Sequence, residues 1–189
     1  MNSSAWPIAA AFVQKWEGGF VDDPSDPGGA TNFGVSLRWL RDIGIDVDGD
    51  GDVDADDVRA LSPVQALGLF RQRFWDALSL DDVPGDPAVC IFDAAVNCGA
   101  RRSVLLAQQV CNAYTGNLIA EDGVFGPGTR ARIQSICYGM QAEDAFATRL
   151  LASRERFYHN LVEVKPELGK FLGGWKNRVN SLRQTLGVQ

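Results

Sequence analysis

The chain has 189 residues, 46% hydrophobic and 10% aromatic, which is enough to bury a sizeable core and too apolar for a disordered polymer. No apolar run reaches the roughly 18 residues of a helical membrane span. The opening MNSSAWPIAA lacks the basic and apolar regions of a secretory signal, so synthesis in a cytoplasm without export by that route is expected. The net charge of −6 comes from one place: residues 46–57 hold seven Asp and no Lys or Arg, and the rest of the chain sums to +1, which does not point to a nucleic-acid binder.

The first predicted element is a helix over AWPIAAAFVQKW. Ala5, Ile8, Ala9, Phe12, Val13 and Trp16 share one face, Pro7 is tolerated in the first turn after the Ser3-Ser4 cap candidates, and Gly18-Gly19 end the helix. Glu17 is then its last residue, beside Trp16. The negative end of the helix dipole and the apolar rings both disfavour an ionised carboxylate there, which suits a general acid. Residues 19–34, GFVDDPSDPGGATNFG, read as a short hairpin or irregular loop that sets Asp22, Asp23 and Asp26 across a cleft from Glu17. Two carboxylates in unlike environments are the minimum equipment for glycoside hydrolysis.

A short helix over residues 35–44 leads into DVDGDGDVDADD. Against the calcium-loop template, Asp46, Asp48 and Asp50 take positions 1, 3 and 5, Gly51 the sharp turn, Asp52 the backbone carbonyl at 7, Asp54 position 9 and Asp57 position 12, where Glu is usual. A single such loop between short helices reads as a structural Ca²⁺ staple and not as a paired sensor. Ser62, Pro63 and Gln65 form a capping box for the next helix, with Val64, Leu67, Phe70, Phe74 and Leu78 at helical spacing and Trp75, a candidate sugar contact, alongside. DPAVCIFDAAVNCG is apolar nearly all round and predicts a buried central helix, with Asp93 and Asn97 on one face as bracing or site-supporting groups.

After Gly99, helices are predicted over 101–113, near 129–137, and over about 142–163 and 167–185, with turn chemistry at Asp122-Gly123 and Gly126-Pro127-Gly128. Tyr158 and Trp175 are amphipathic aromatics of the kind that stack on sugars. Cys90, Cys98, Cys111 and Cys137 form no CxxC pair and read as buried thiols; the lone His159 excludes zinc sites built on several histidines.

The string KWEGGFVDDPSDPGGATNFGVS resembles the opening signature of the family 108 glycoside hydrolases, N-acetylmuramidases found as phage endolysins. FRQRFWDAL, IFDAAVNCGARRSVLLAQQ and the ERFYHNL and GGWKNRV segments continue that resemblance in order over nearly the whole chain, and DGVFGPGTRARI is similar to helical peptidoglycan-binding modules. The resemblance implies a mostly α, lysozyme-like fold, a catalytic region over residues 1–99 and a peptidoglycan-binding region over 100–189. It implies that Glu17 is the catalytic acid, Asp26 the second carboxylate and Thr31 a residue holding water; Thr31 lies one position short of the spacing in phage-type lysozymes. Candidate substrate contacts are Trp75, Asn97, Tyr158 and Trp175. The expected partners are bacterial peptidoglycan and, for a phage product, a holin-type release protein, with the chain acting as a monomer. A lytic transglycosylase, which needs only the single glutamate, and a non-catalytic wall-binding protein are the alternatives.

Overall fold

The computed structural model describes residues 5–22, 28–114, 116 and 118–188. The chain is mostly helical with one small antiparallel hairpin after the first helix, the lysozyme-like class that the resemblance implied. Among the described residues no helix is long and apolar enough to cross a membrane. The fold divides into two compact units, residues 10–73 and residues 1–9 with 74–189. That division differs from a cut at residue 99 because the helix ending there packs with the helices that follow it.

The smaller unit begins within α1 (Trp6–Trp16), continues through β1 (Thr31–Asn32) and β2 (Val35–Ser36), then α2 (Leu37–Ile43), the aspartate loop, α3 (Ala55–Ala60) and α4 (Pro63–Phe70). The apolar stripe of α1 buries Ala9, Phe12 and Val13, but Ile8 is 45% exposed. α4 starts as expected: the Ser62 hydroxyl accepts from the Gln65 N–H, the Gln65 side chain returns to the Ser62 N–H, and Pro63 sits in the first turn. Leu40, Val58, Leu61, Ala66 and Phe70 complete this core with Val35.

A π-helical turn over Arg71–Asp76 then corrects the sequence reading. Its wider winding moves the apolar face by a residue. Trp75 is therefore buried at 1% exposure while Phe74 is only half-buried. Val64, expected inside, is 77% exposed.

The larger unit is built on α5 (Gly85–Cys98), buried without interruption from Pro87 to Ala95 as its composition required. α6 (Ala100–Tyr114) and α8 (Glu143–Val164) pack on it, α7 (Pro127–Gln134) packs on α6, and α9 (Gly169–Leu186) on α8. Trp6, Trp75 and Phe92 meet edge to face with ring centroids 5.3–5.6 Å apart. The Ser103 hydroxyl donates to the Ile91 carbonyl at 2.6 Å, tying α6 to α5.

Asp93 is fully buried on α5 between two arginines. Arg154 Nη1 of α8 reaches Oδ2 at 2.5 Å, and Arg178 of α9 reaches Oδ1 through Nε at 2.9 Å and Nη2 at 2.7 Å. Burial alone would raise this carboxyl, but the two guanidiniums outweigh it and hold Asp93 below the ordinary range. Because the folded value is depressed, the stability it supplies is present above the unfolded value of about 3.9 and is lost as pH falls through the lower folded value. Asp93→Asn strands two buried cations, and urea unfolding near pH 7 should read a loss of about 3–5 kcal/mol. The variant's stability should also depend less on pH below about 4 than the wild type's.

Candidate active site

Glu17 follows α1 directly, its N–H donating to the Val13 carbonyl at 2.9 Å. The hairpin is then folded onto it. Phe33 donates its N–H to the carbonyl of Gly18, the residue after Glu17, at 2.9 Å, and Val21 exchanges two 2.8 Å backbone bonds with Thr31. Phe33 and Gly34 make the two-residue turn, with φ of 47° and 75°. Both values are left-handed, as a type I′ hairpin requires, and in Phe33 this is a strained conformation for a bulky residue.

Gly34 lies directly against the Glu17 side chain. A Cβ at position 34 would stand 2.5 Å from Oε2, 2.9 Å from Cδ and 3.0 Å from Cγ. Glycine is thus needed twice, for its backbone conformation and for the close approach of the carboxyl group. Glu17 also borders a small apolar hollow with Val13, Phe33, Pro63, Ala66 and Phe70, of about 20 Å³, roughly the space of one water. A sugar ring does not fit there; the hollow surrounds the carboxyl with apolar surface.

The hairpin is itself anchored. Asn32, 4% exposed, donates through Nδ2 to the carbonyls of Val58 at 3.0 Å and Leu61 at 3.4 Å, on α3 and at its end. Asn32, Phe33 and Gly34 are the positions next to Glu17 that sequence reasoning missed. The I′ signal of Asn-Gly was masked because a phenylalanine occupies the first turn position.

Thr31 stands on β1, its hydroxyl donating to the Gly29 carbonyl at 3.4 Å. Asp22 is exposed beside the Val21 bridge. Asp23 and Asp26 lie outside the described residues.

The aspartate loop joins α2 to α3. Asp46 accepts from the N–H groups of Gly49 at 2.6 Å and Gly51 at 3.0 Å, and Asp57 from those of Val47 at 2.5 Å and Asp54 at 2.7 Å. The carboxylates form two groups, Asp46 with Asp48 and Asp50, and Asp52 with Asp54 and Asp57; within each group the oxygens lie within 4.8 Å of one another. The negative charges of Asp50 and Asp54 raise Asp52, whereas the backbone donors of Asp54 and Val47 lower Asp57. Asp54 caps α3 and Asp57 completes its capping box, so the loop is built into the start of that helix.

The proposed sugar contacts all belong to the larger unit. Trp75 is a core residue whose indole N–H donates to Asp81 at 2.9 Å, so no ring face is left for a sugar. Tyr158, 1% exposed, is likewise internal: its hydroxyl accepts from Arg154 Nε at 2.7 Å and donates to Asn97 Oδ1. Burial pushes that hydroxyl up to about 12, so it stays neutral and donates. Asn97 serves this network on α5. Trp175, half-buried, stacks on Tyr158 with centroids 4.9 Å apart. Asp93, Asn97, Arg154 and Tyr158 are bracing groups. Cys90, Cys111 and Cys137 are buried, Cys98 is half-buried, and all four are free thiols.

Residues 10–99 match the family described as glycosyl hydrolase 108, and residues 102–180 match a "Predicted Peptidoglycan domain". The chain is similar to a solved structure titled "Structure of Brucella abortus SagA", at 29% identity and a TM-score of 0.74, over 96% of this chain and 94% of that one. No curated protein matches the sequence.

Gly34→Ala tests the cradle. A left-handed alanine costs about 1–2 kcal/mol, a fall in melting temperature of about 2–8 °C at this chain length, and its methyl group displaces the Glu17 carboxyl. Turnover of peptidoglycan should drop at least about ten-fold with the fold retained by circular dichroism; unchanged turnover would show that the contact is idle.

Proposed function

The chain belongs to the glycosyl hydrolase 108 family through residues 10–99 and carries a peptidoglycan domain over 102–180, and on that premise we propose that it is an N-acetylmuramidase with Glu17 as its catalytic acid. As a glycoside hydrolase acting on peptidoglycan, it has one carboxyl group held by a close backbone approach, and that contact between Glu17 and Gly34 is the observation that supports the assignment.

In this reading the bond cleaved is the β-1,4 linkage between N-acetylmuramic acid and N-acetylglucosamine. Protonated Glu17 gives its proton to the glycosidic oxygen, the C–O bond breaks with its electron pair leaving on that oxygen, and positive charge develops on the anomeric carbon and ring oxygen. A second carboxylate steadies that charge or takes the proton from the attacking water. We assign it to Asp26, with Asp22 and Asp23 as the other candidates and Thr31 as a holder of the water. An enzyme of this kind acts as an endolysin that lyses the cell from within, works as a monomer, and reaches the wall through a holin-type release partner.

The same proposal extends to the aspartate loop as a Ca²⁺ site, with Asp46, Asp48, Asp50, the Asp52 carbonyl and Asp57 as ligands. The carboxylate oxygens of Asp46, Asp48 and Asp50, within 4.8 Å of one another, support it, with Asp57 in the neighbouring acidic group. The chemistry a bound cation would supply is charge neutralisation that fixes the start of α3, and α3 carries the carbonyl of Val58 to which Asn32 of the hairpin is bonded.

Two measurements test these assignments. Mass spectrometry of digested peptidoglycan should find reducing N-acetylmuramic acid ends with the wild type and none with Glu17→Gln. Anhydro ends would instead place the chain among the lytic transglycosylases, which need a single carboxylate. For the loop, a cation at about 100 times its Kd adds about 2.7 kcal/mol to the folded state. Chelator should accordingly lower the melting temperature by several degrees, and an unchanged melt would remove the cation from the account.

A further inference from the structure

α6 and α8 lie side by side, and a furrow of about 300 Å³ opens between them. Gln109 and Ala113 line it from α6, and Arg149, Ala152, Ser153 and Arg156 from α8. Small side chains create the space: Ala113, Ala152 and Ser153 occupy positions where larger residues would close the gap between helices. The volume lies at the lower end of the range for ligand sites, about 300–1,000 Å³.

Two cations border this space. Arg149 and Arg156 are both exposed, and no acidic side chain pairs with either among the described residues, unlike Arg130, Arg154, Arg178 and Arg183, which each hold a carboxylate. Each is nonetheless positioned. The Arg149 guanidinium carbon lies 4.4 Å from the centroid of the Tyr114 ring, a cation–π contact that holds the side chain in place. Arg156 gives one Nη2 donor to the Ser153 hydroxyl at 2.8 Å and keeps the others. Seven residues apart on one helix, the two lie on the same side with a rise of about 10.5 Å between them.

We propose that this furrow binds the peptide stems of peptidoglycan through their carboxylates, Arg149 and Arg156 each taking one. The guanidinium fork matches a carboxylate bidentately. An extended peptide advances about 3.3–3.6 Å per residue, so carboxylates about three residues apart span the two arginines. The glycan offers no such group, since in intact peptidoglycan the lactyl carboxyl of muramic acid is spent in the amide bond to the stem. The negative charge of the polymer therefore sits on its peptides. This inference rests on the wall-acting reading above.

The test uses the full chain carrying Glu17→Gln, so that binding is read without cleavage, sedimented with insoluble peptidoglycan freed of phosphodiester polymers by hydrofluoric acid. Adding Arg149→Gln and Arg156→Gln should weaken binding at least ten-fold. Blocking the wall carboxylates as amides should weaken the parent to the same degree and leave the double variant unchanged. Arg149→Lys with Arg156→Lys keeps the charge without the fork and should fall between. All variants should melt close to the parent, because both positions are exposed. Equal binding by parent and double variant would overturn the site, and so would a loss confined to walls that retain their phosphodiester polymers, which would reassign the furrow. If the parent itself does not sediment, the wall-acting reading fails and the furrow with it, an outcome distinct from the other two.

Discussion

Asp93 is the constraint on which the larger unit depends. A carboxylate without exposed surface is tolerated only if its charge is matched and its lone pairs are occupied, and here α8 and α9 each contribute a guanidinium to do so. Those helices are thereby fixed in register on α5. Arg154 then extends the arrangement to Tyr158, and Tyr158 to Asn97 back on α5, closing a circuit of buried polar groups. Trp175 completes it by stacking on Tyr158. Tyr158 and Trp175, which looked suited to sugars, belong to the packing around this charge.

The smaller unit follows a different logic, in which backbone geometry places one carboxyl group. Glu17 sits where a helix has just ended, and a strained turn is pressed against it. The strain at Phe33 persists because the turn is tied on both sides, by its own N–H to Gly18 and by Asn32 to the carbonyls at α3. The aspartate loop enters only through this chain of contacts. It shapes the start of α3, α3 receives Asn32, and Asn32 holds the turn that meets Glu17. The most conspicuous stretch of the sequence is therefore a structural support for the turn that meets Glu17.

Where local rules decide the structure, the sequence could be read closely. The capping box at Ser62 and Gln65, the end of α1 before Gly18, and the fully buried character of α5 each follow from interactions spanning a few residues. Trp75 and Val64 could not be placed in this way. Regular helical spacing put Phe74 inward and left Trp75 to one side, but a π-helical turn intervenes and rotates the face. Such a turn leaves no signal in apolar periodicity, because it is stabilised by the packing it creates.

The amino-acid sequence by itself determined a mostly helical chain, the position of Glu17 at a helix end, the aspartate loop and its two flanking helices, and the family signature that joins them. Helix periodicity, caps and loop templates are local, so their information lies within a few neighbouring residues. Only the tertiary structure decided that Gly34 cradles Glu17, that Asn32 links the hairpin to α3, and that Asp93 pairs with arginines 61 and 85 positions further along the chain. Close approach and charge pairing between distant segments depend on where whole helices come to rest, and burial, which sets the strength of each pairing, does not exist until they have.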